Sequence, residues 1–442
     1  MPPHQRPPLF HLTRLSRVGR PAWPLRKALL VSCLAAGSFT VQPLQAQDTL
    51  EEFVDSVTAA NTAEDLAPID TRWLEPAMLI AATGQAEPNG ETVPFGQLPL
   101  LIEAFAWTPS EDWRAVIDGF RAKDEGHRLG GLLVIAYHGD ASDLERAQGL
   151  CDHPGDVWRS EFRSTCARLF TRDGAFESVA SKRLWYLPTN LGEELIHATA
   201  DVGGEPAFDF LERVLRGREE LWPVALADLF RMAQARPWEL PEDLLDYVEE
   251  LLRSHDPATR REAAKLLGLA SFAPAAEQLV ELLEDEEPGV AQAAHWALER
   301  GFAQKLPPEA PRWRSWLAGA RQWWSERGDQ VLNDIESDDP HVALDALKEL
   351  ARQRYRRREI SRAAVPLLLH PDPVLAEVAA GLIGRLGDGS EAPELIAALG
   401  RSESRVRDAA GAALRHLFGT RIENDPVAWS RYWRQQQDAA GS

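Results

Sequence analysis

Cysteine is scarce in this chain, with three in 442 residues, and so are methionine, at three, and tyrosine, at five. Three cysteines cannot build a disulfide framework, so the fold must rest on an apolar core. Strand patterns are scarce too. Only Leu132-Leu133-Val134-Ile135 could be argued as a strand, and its setting in a helical hairpin favours helix. Basic charge is in deficit, with 48 Lys and Arg against 68 Asp and Glu and a formal net charge of −20. Within residues 1–46 the charge is all basic (Arg6, Arg14, Arg17, Arg20, Arg26, Lys27), so the remainder is more acidic still. Such a surface is repelled by phosphate backbones, which argues against a nucleic-acid partner. Signatures of chemistry are missing as well. No histidine is followed by Glu, and there is no His-Glu-x-x-His, no cysteine pair at zinc spacing, no Gly-rich phosphate loop and no nucleophile elbow. The acidic run Glu281, Glu284, Asp285, Glu286, Glu287 lacks the spacing of a calcium loop and reads as a solvated helix end. Neither a catalytic residue nor a cofactor or metal site is expected.

What is present is the same stretch twice, 116 positions apart and without a gap. His255-Asp256-Pro257 returns as Pro371-Asp372-Pro373, Ala263-Ala264 as Ala379-Ala380, and Gly268 as Gly384. Leu279 matches Leu395, Val290 matches Val406, Leu298 matches Leu414, and Trp313 lands on Trp429. Self-similarity of this kind marks stacked supersecondary units, each needing a neighbour to bury its apolar face. Helices of these units open on Asp-Pro at Asp256-Pro257, Asp339-Pro340 and Asp372-Pro373. The carboxylate caps a free amide and complements the helix dipole, while proline gives up an N–H that had no partner. The paired alanines let two helices approach closely.

Each copy ends in a tryptophan-rich appendage. Trp313, Trp316, Leu317, Ala320, Trp323 and Trp324 form one helical stripe, and Trp429, Tyr432 and Trp433 follow Asp425-Pro426. Such a helix is expected to seal the apolar end of its block. The competing reading is an aromatic groove for a ligand.

The N-terminus reads as an export signal, with a basic region ending at Arg26-Lys27, an apolar stretch from Ala28 to Leu44, and a cleavage site after Ala46. Two alternatives stand beside it: a lipoprotein signal with Cys33 as the lipidated residue, and an uncleaved anchor. The apolar stretch is interrupted by Ser32, Gly37, Ser38, Thr40, Gln42 and Pro43, a poor spanning helix, and no other segment would cross a membrane. Cys151 and Cys166 fall on consecutive helices, too far apart along the hairpin for a bond, so two buried thiols are expected in preference to a disulfide.

The Asp-Pro, Ala-Ala, Leu-Leu-Gly or Leu-Ile-Gly, Val, Ala-Ala and Ala-Leu pattern of residues 255–298 and 371–414 resembles HEAT repeats, more narrowly the HEAT-like repeats also found in phycobilisome lyases. The Asp-Pro-x-x-Trp-x-x-Tyr-Trp ending resembles the terminal segment of exported bacterial HEAT-repeat proteins. The resemblance implies an all-α solenoid of antiparallel helix pairs wound into a superhelix and used to hold other proteins. It carries no catalytic residue across.

The expected organisation is an export signal over 1–46, diverged helical repeats over 47–242, a repeat block with its Trp-rich helix over 243–335, and a second such block over 336–442. The expected function is a non-catalytic protein–protein interaction scaffold in the bacterial envelope, periplasmic or secreted. The alternative is a bilin-lyase-like or other ligand-binding or catalytic HEAT-repeat protein. One charge feature runs against the acidic background: Arg352, Arg354, Arg356, Arg357 and Arg358, with Arg362 nearby. Guanidinium forks suit carboxylates and phosphates, so this cluster is the candidate docking patch for a protein partner. The competing reading is a solvated helix end whose arginines pair with Glu349 and Glu359.

Overall fold

The computed structural model describes residues 49–86, 92–152, 156–234 and 240–440. The export signal, Cys33, the loop at 87–90 and the turn at 153–155 lie outside the described residues. Among those described there is no strand; Gln85 and Thr92 form an isolated antiparallel bridge. The regular structure is otherwise helical, with short 3-10 turns at the ends of many of the helices. The described residues fall into two compact units, one ending at Val202 and the other beginning at Gly203. That division lies inside the 47–242 segment of the sequence reading.

The first unit holds α1 (Leu50–Ala59), α2 (Leu74–Thr83), α3 (Leu98–Ala104), α4 (Ser110–Asp118), α5 (Glu125–His138), α6 (Leu144–Cys151), α7 (Asp156–Arg172), α8 (Phe176–Arg183) and α9 (Thr189–Val202). Helices α2, α5, α7 and α9 pack in succession, and the shorter α6 and α8 cover this row. Where α2 and α5 cross, the backbones nearly touch: a Cβ on Gly130 would lie 2.2 Å from the Met78 carbonyl oxygen. Leu132 to Ile135 are interior residues of α5, so the one arguable strand is helix. Cys151 and Cys166 are free, buried thiols. Asp143, fully buried at the start of α6, is held by the guanidiniums of Arg114 and Arg146.

The second unit begins with α10 (Glu205–Leu215), α11 (Trp222–Ala233) and α12 (Glu242–Leu251). Then come α13 (Pro257–Leu269), α14 (Ala276–Glu281), α15 (Pro288–Phe302) and α16 (Ala310–Trp323). After α17 (Asp329–Asn333), α18 (Pro340–Leu350) and α19 (Arg357–Ala364), the four-helix pattern returns as α20 (Pro373–Leu386), α21 (Ala392–Ala398), α22 (Ser404–Phe418) and α23 (Pro426–Ala440). All four starting residues are shifted by the 116 positions of the sequence repeat. Contacts follow the same rule: α13 packs on α15 as α20 does on α22, and α14 on α16 as α21 on α23. Each unit taken by itself is therefore an α-solenoid of stacked helix pairs.

The caps are those the sequence predicts. Asp256 accepts from the amides of Ala258 and Thr259, Asp339 from His341, Asp372 from Val374 and Asp425 from Val427. The tryptophan helices also repeat their geometry. Trp313 and Trp429 are both fully buried, and the Trp313–Trp316 and Trp429–Tyr432 ring pairs meet edge to face at 5.8 Å. Phe302 reaches Trp316 as Phe418 reaches Tyr432. Burial of Trp313, Leu317 and Trp324 in the first copy, and of Trp429 and Trp433 in the second, fits a helix that covers its block.

Candidate functional site

The run of arginines lies where α18 ends and α19 begins, and the helical period separates its members. Arg356 adopts a left-handed φ of 58° and α19 starts on the next residue. From there Arg357, Arg358, Ile360, Ser361 and Ala364 form the buried face. The apolar residues of this face carry the adjoining arginines inward, and Arg357 and Arg358 are only 4% and 5% exposed.

Arg358 donates from Nη2 to the Leu240 carbonyl oxygen at 2.9 Å. Burial, then Arg362, pulls its pKa down to about 10. Arg357 is pulled down to about 10 by burial and by the Arg300 guanidinium. The carboxylates of Asp388 and Glu391 act on it in the opposite sense. Ser361 donates to Glu391 Oε1, and burial followed by the Asp388 charge raises Glu391 to about 7. Arg357 and Arg358 thus belong to an internal polar joint between α19 and α21, and they are out of reach of a macromolecular partner.

Arg356 is also engaged. It donates to Glu359 and, at 2.7 Å, to Asp329, while its guanidinium carbon sits 4.3 Å from the Trp324 ring centroid. The hydrogen bond with Glu359, and then that with Asp329, holds its pKa above the ordinary arginine value. Exposed Arg362 lies 3.7 Å from Glu242. Glu349, the other acid expected to pair with the run, is taken by Arg327.

The two remaining members differ from the rest. Arg352 is exposed and has no ion-pair partner among the described residues. Arg354 is half-buried and donates only to the backbone oxygens of Ala351 and Gln353, both at 3.3 Å. Burial, then the like charge of Arg385, lowers its pKa, and no carboxylate opposes them. Both line one wall of an open groove of about 400 Å³, together with Gln353 and Tyr355. The opposite wall is α16, through Ser315, Trp316, Gly319, Ala320 and Trp323, with Gln304 at the margin.

Local sequence explains this shape. Tyr355 stacks on Phe302 at 5.8 Å and reaches the Ala273 carbonyl oxygen, which pins the turn that carries the arginines. Trp316 is braced by Phe302 and Trp313. Gly319 has nothing within 4 Å of where a Cβ would stand, which leaves the α16 wall open at that point. The site therefore sets two guanidiniums, without carboxylate partners among the described residues, beside two indole rings. Its sequence precursors, the arginine run and the Trp stripe, were each visible. Their meeting was not, nor were the roles of Tyr355, Gln353, Gln304 and Ser315, because the two walls are some thirty residues apart and share no motif.

Residues 241–308 match the family model for HEAT repeats. Over this segment the chain carries HEAT repeats. The matched segment covers α12 through α15, and the 116-residue shift extends the same architecture to α20–α22. Among solved structures, an engineered protein is 16% identical over 83% of this chain and 98% of its own, with a TM-score of 0.30. A mutant of Kap121p is 15% identical over 89% of this chain and 46% of its own, with a TM-score of 0.31. At those scores neither superposition carries an argument about function. No curated protein sequence matches the chain. No helix among the described residues is long and apolar enough to cross a membrane.

Proposed function

We propose that this HEAT-repeat chain is a non-catalytic scaffold that holds another protein, and that it works in the bacterial envelope after export. The observation that carries the scaffold reading is the HEAT match over residues 241–308 together with its structural recurrence 116 residues later. A stack of helix pairs presents a long, rigid set of side chains at fixed spacing, which suits recognition of a protein surface. The envelope reading rests on the basic, then apolar N-terminal segment and the cleavage site after Ala46.

The test is native mass spectrometry of the chain isolated from its own cells, with the cell fractions kept separate. A mature mass beginning at Gln47 in the envelope fraction, in a stable complex with one defined protein, is the expected result. A lone chain carrying a small-molecule mass would overturn the scaffold reading. A full-length chain in the cytoplasmic fraction would overturn the envelope reading.

A further inference from the structure

We infer that the groove between Trp323 and Arg354 takes an acidic, aromatic-containing segment of the partner protein, a carboxylate reaching Arg352 and Arg354 while an adjacent ring lies against Trp316 and Trp323. The inference rests on the scaffold reading and names the chemistry of the partner.

Three observations on the groove point the same way. In a chain of net charge −20, two neighbouring arginines have no carboxylate partner among the described residues, while Arg356, and Arg314, Arg321 and Arg327 in and after α16, are all paired. A guanidinium left without an acid beside a rigid wall is a ready receptor for a carboxylate, which it binds through two parallel hydrogen bonds. Trp316 and Trp323 are half-buried and both line the groove, Trp316 in contact with Phe302 and Trp323 with Trp324. Indole faces of this kind stack with aromatic rings at small entropic cost. Finally, the groove is open to solvent and not enclosed. A small free ligand is normally enclosed over most of its surface, whereas an extended segment passes through an open trough and leaves again.

Charge selects among occupants. A basic segment would meet Arg352, Arg354 and Arg385, and a purely apolar one would leave the half-buried Arg354 desolvated without compensation.

The experiment uses the whole mature chain and fluorescein-labelled peptides of alternating Glu-Phe, Lys-Phe and Glu-Ser, with phenylacetate as a small aromatic carboxylate. Binding is followed by fluorescence anisotropy, and by competition for phenylacetate. The Glu-Phe peptide is expected to bind, and the R352Q/R354Q double variant to bind it at least about tenfold more weakly, as the loss of charge-assisted hydrogen bonds requires. Trp323→Leu, which keeps an apolar wall, should weaken binding while leaving the helical signal unchanged. Equal binding of Lys-Phe, or unchanged binding by R352Q/R354Q, overturns the inference. Equal binding of Glu-Ser removes the aromatic contact and overturns it as stated, and phenylacetate competing as well as the peptide reassigns the groove to a small ligand. The same variant is used as bait in its native extract. A partner captured equally by wild type and variant leaves the scaffold standing and removes this groove from it. Capture of no protein by either sinks the scaffold itself, whatever the peptides show.

Discussion

Gly384 faces Ala413 so closely that a Cβ built on the glycine would stand 2.9 Å from both Cα and Cβ of the alanine. The same relation holds 116 residues earlier, where a Cβ on Gly268 would lie 2.4 Å from Ala297 Cα. In both copies the row helices, α13 with α15 and α20 with α22, meet backbone to backbone. Gly381, one turn before Gly384, has nothing within 4 Å.

These two glycines of one helix should respond oppositely to alanine. Gly384→Ala forces α20 and α22 apart and is expected to cost about 1–3 kcal/mol, as overpacked sites do. Gly381→Ala gains helix propensity without a clash, about 0.5–1 kcal/mol of stabilisation. Urea unfolding of both variants measures the difference, and equal midpoints would refute the backbone contact.

The ends of the paired helices give a second comparison. α22 is followed by Gly419 at a left-handed φ of 62°, while its counterpart after α15 is Ala303 at 48°. An alanine there carries a Cβ penalty that glycine does not. Ala303→Gly is therefore expected to stabilise by about 1 kcal/mol, and Gly419→Ala to destabilise by a similar amount, read as opposite shifts in Tm.

The joint between α19 and α21 should show in the pH dependence of stability. Burial and Asp388 raise Glu391 from an ordinary 4.5 to about 7, with Arg357 opposing. Between those pH values the folded chain keeps a proton that the unfolded chain has released. Its stabilising effect is complete at acid pH and is lost as pH rises through about 7. At about 1.4 kcal/mol per unit the swing is bounded at about 3 kcal/mol. Glu391→Gln keeps an acceptor for Ser361 and should flatten the profile, leaving the variant more stable than wild type at pH 8. Parallel profiles would remove Glu391 as their source. Asp388, raised by the same burial, adds a slope of the same sign in both proteins.

Burial also pushes the Cys151 and Cys166 thiols well above their ordinary range. Folded protein should therefore leave both unmodified by a thiol reagent such as DTNB, and both should react once urea unfolds the first unit. Rapid labelling without denaturant would contradict their burial.

Much of this architecture was legible in the residues. The Asp-Pro pairs located the starts of α13, α18, α20 and α23 and the 116-residue shift announced the recurrence, because Asp-Pro capping and the Ala-Ala and Gly contacts are local demands that the chain must meet wherever a pair of helices packs. The arginine run was less legible. Six arginines in eleven positions read alike as a sequence, yet Ile360 and Ala364 turn Arg357 and Arg358 inward, and Asp329, 27 residues upstream, occupies Arg356. Counting the α19 period back from Ile360 and Ala364 would have separated the inward pair. Nothing local announces that Arg352 and Arg354 end up opposite Trp316 and Trp323, since that depends on how α16 crosses the turn after α18.

The pairing of Arg356 has a consequence for how a partner arrives. Asp329 and Glu359 are committed to Arg356, so they do not neutralise the pair of guanidiniums facing the groove. Attraction is thus confined to the groove mouth, while the rest of the chain repels acid across a Debye length of about 8–10 Å. A carboxylate-bearing segment feels repulsion on approach and capture on contact. Lowering the ionic strength should slow its encounter with the chain, the reverse of ordinary electrostatic steering, so that proximity alone discriminates between a segment that fits the groove and one that is merely charged.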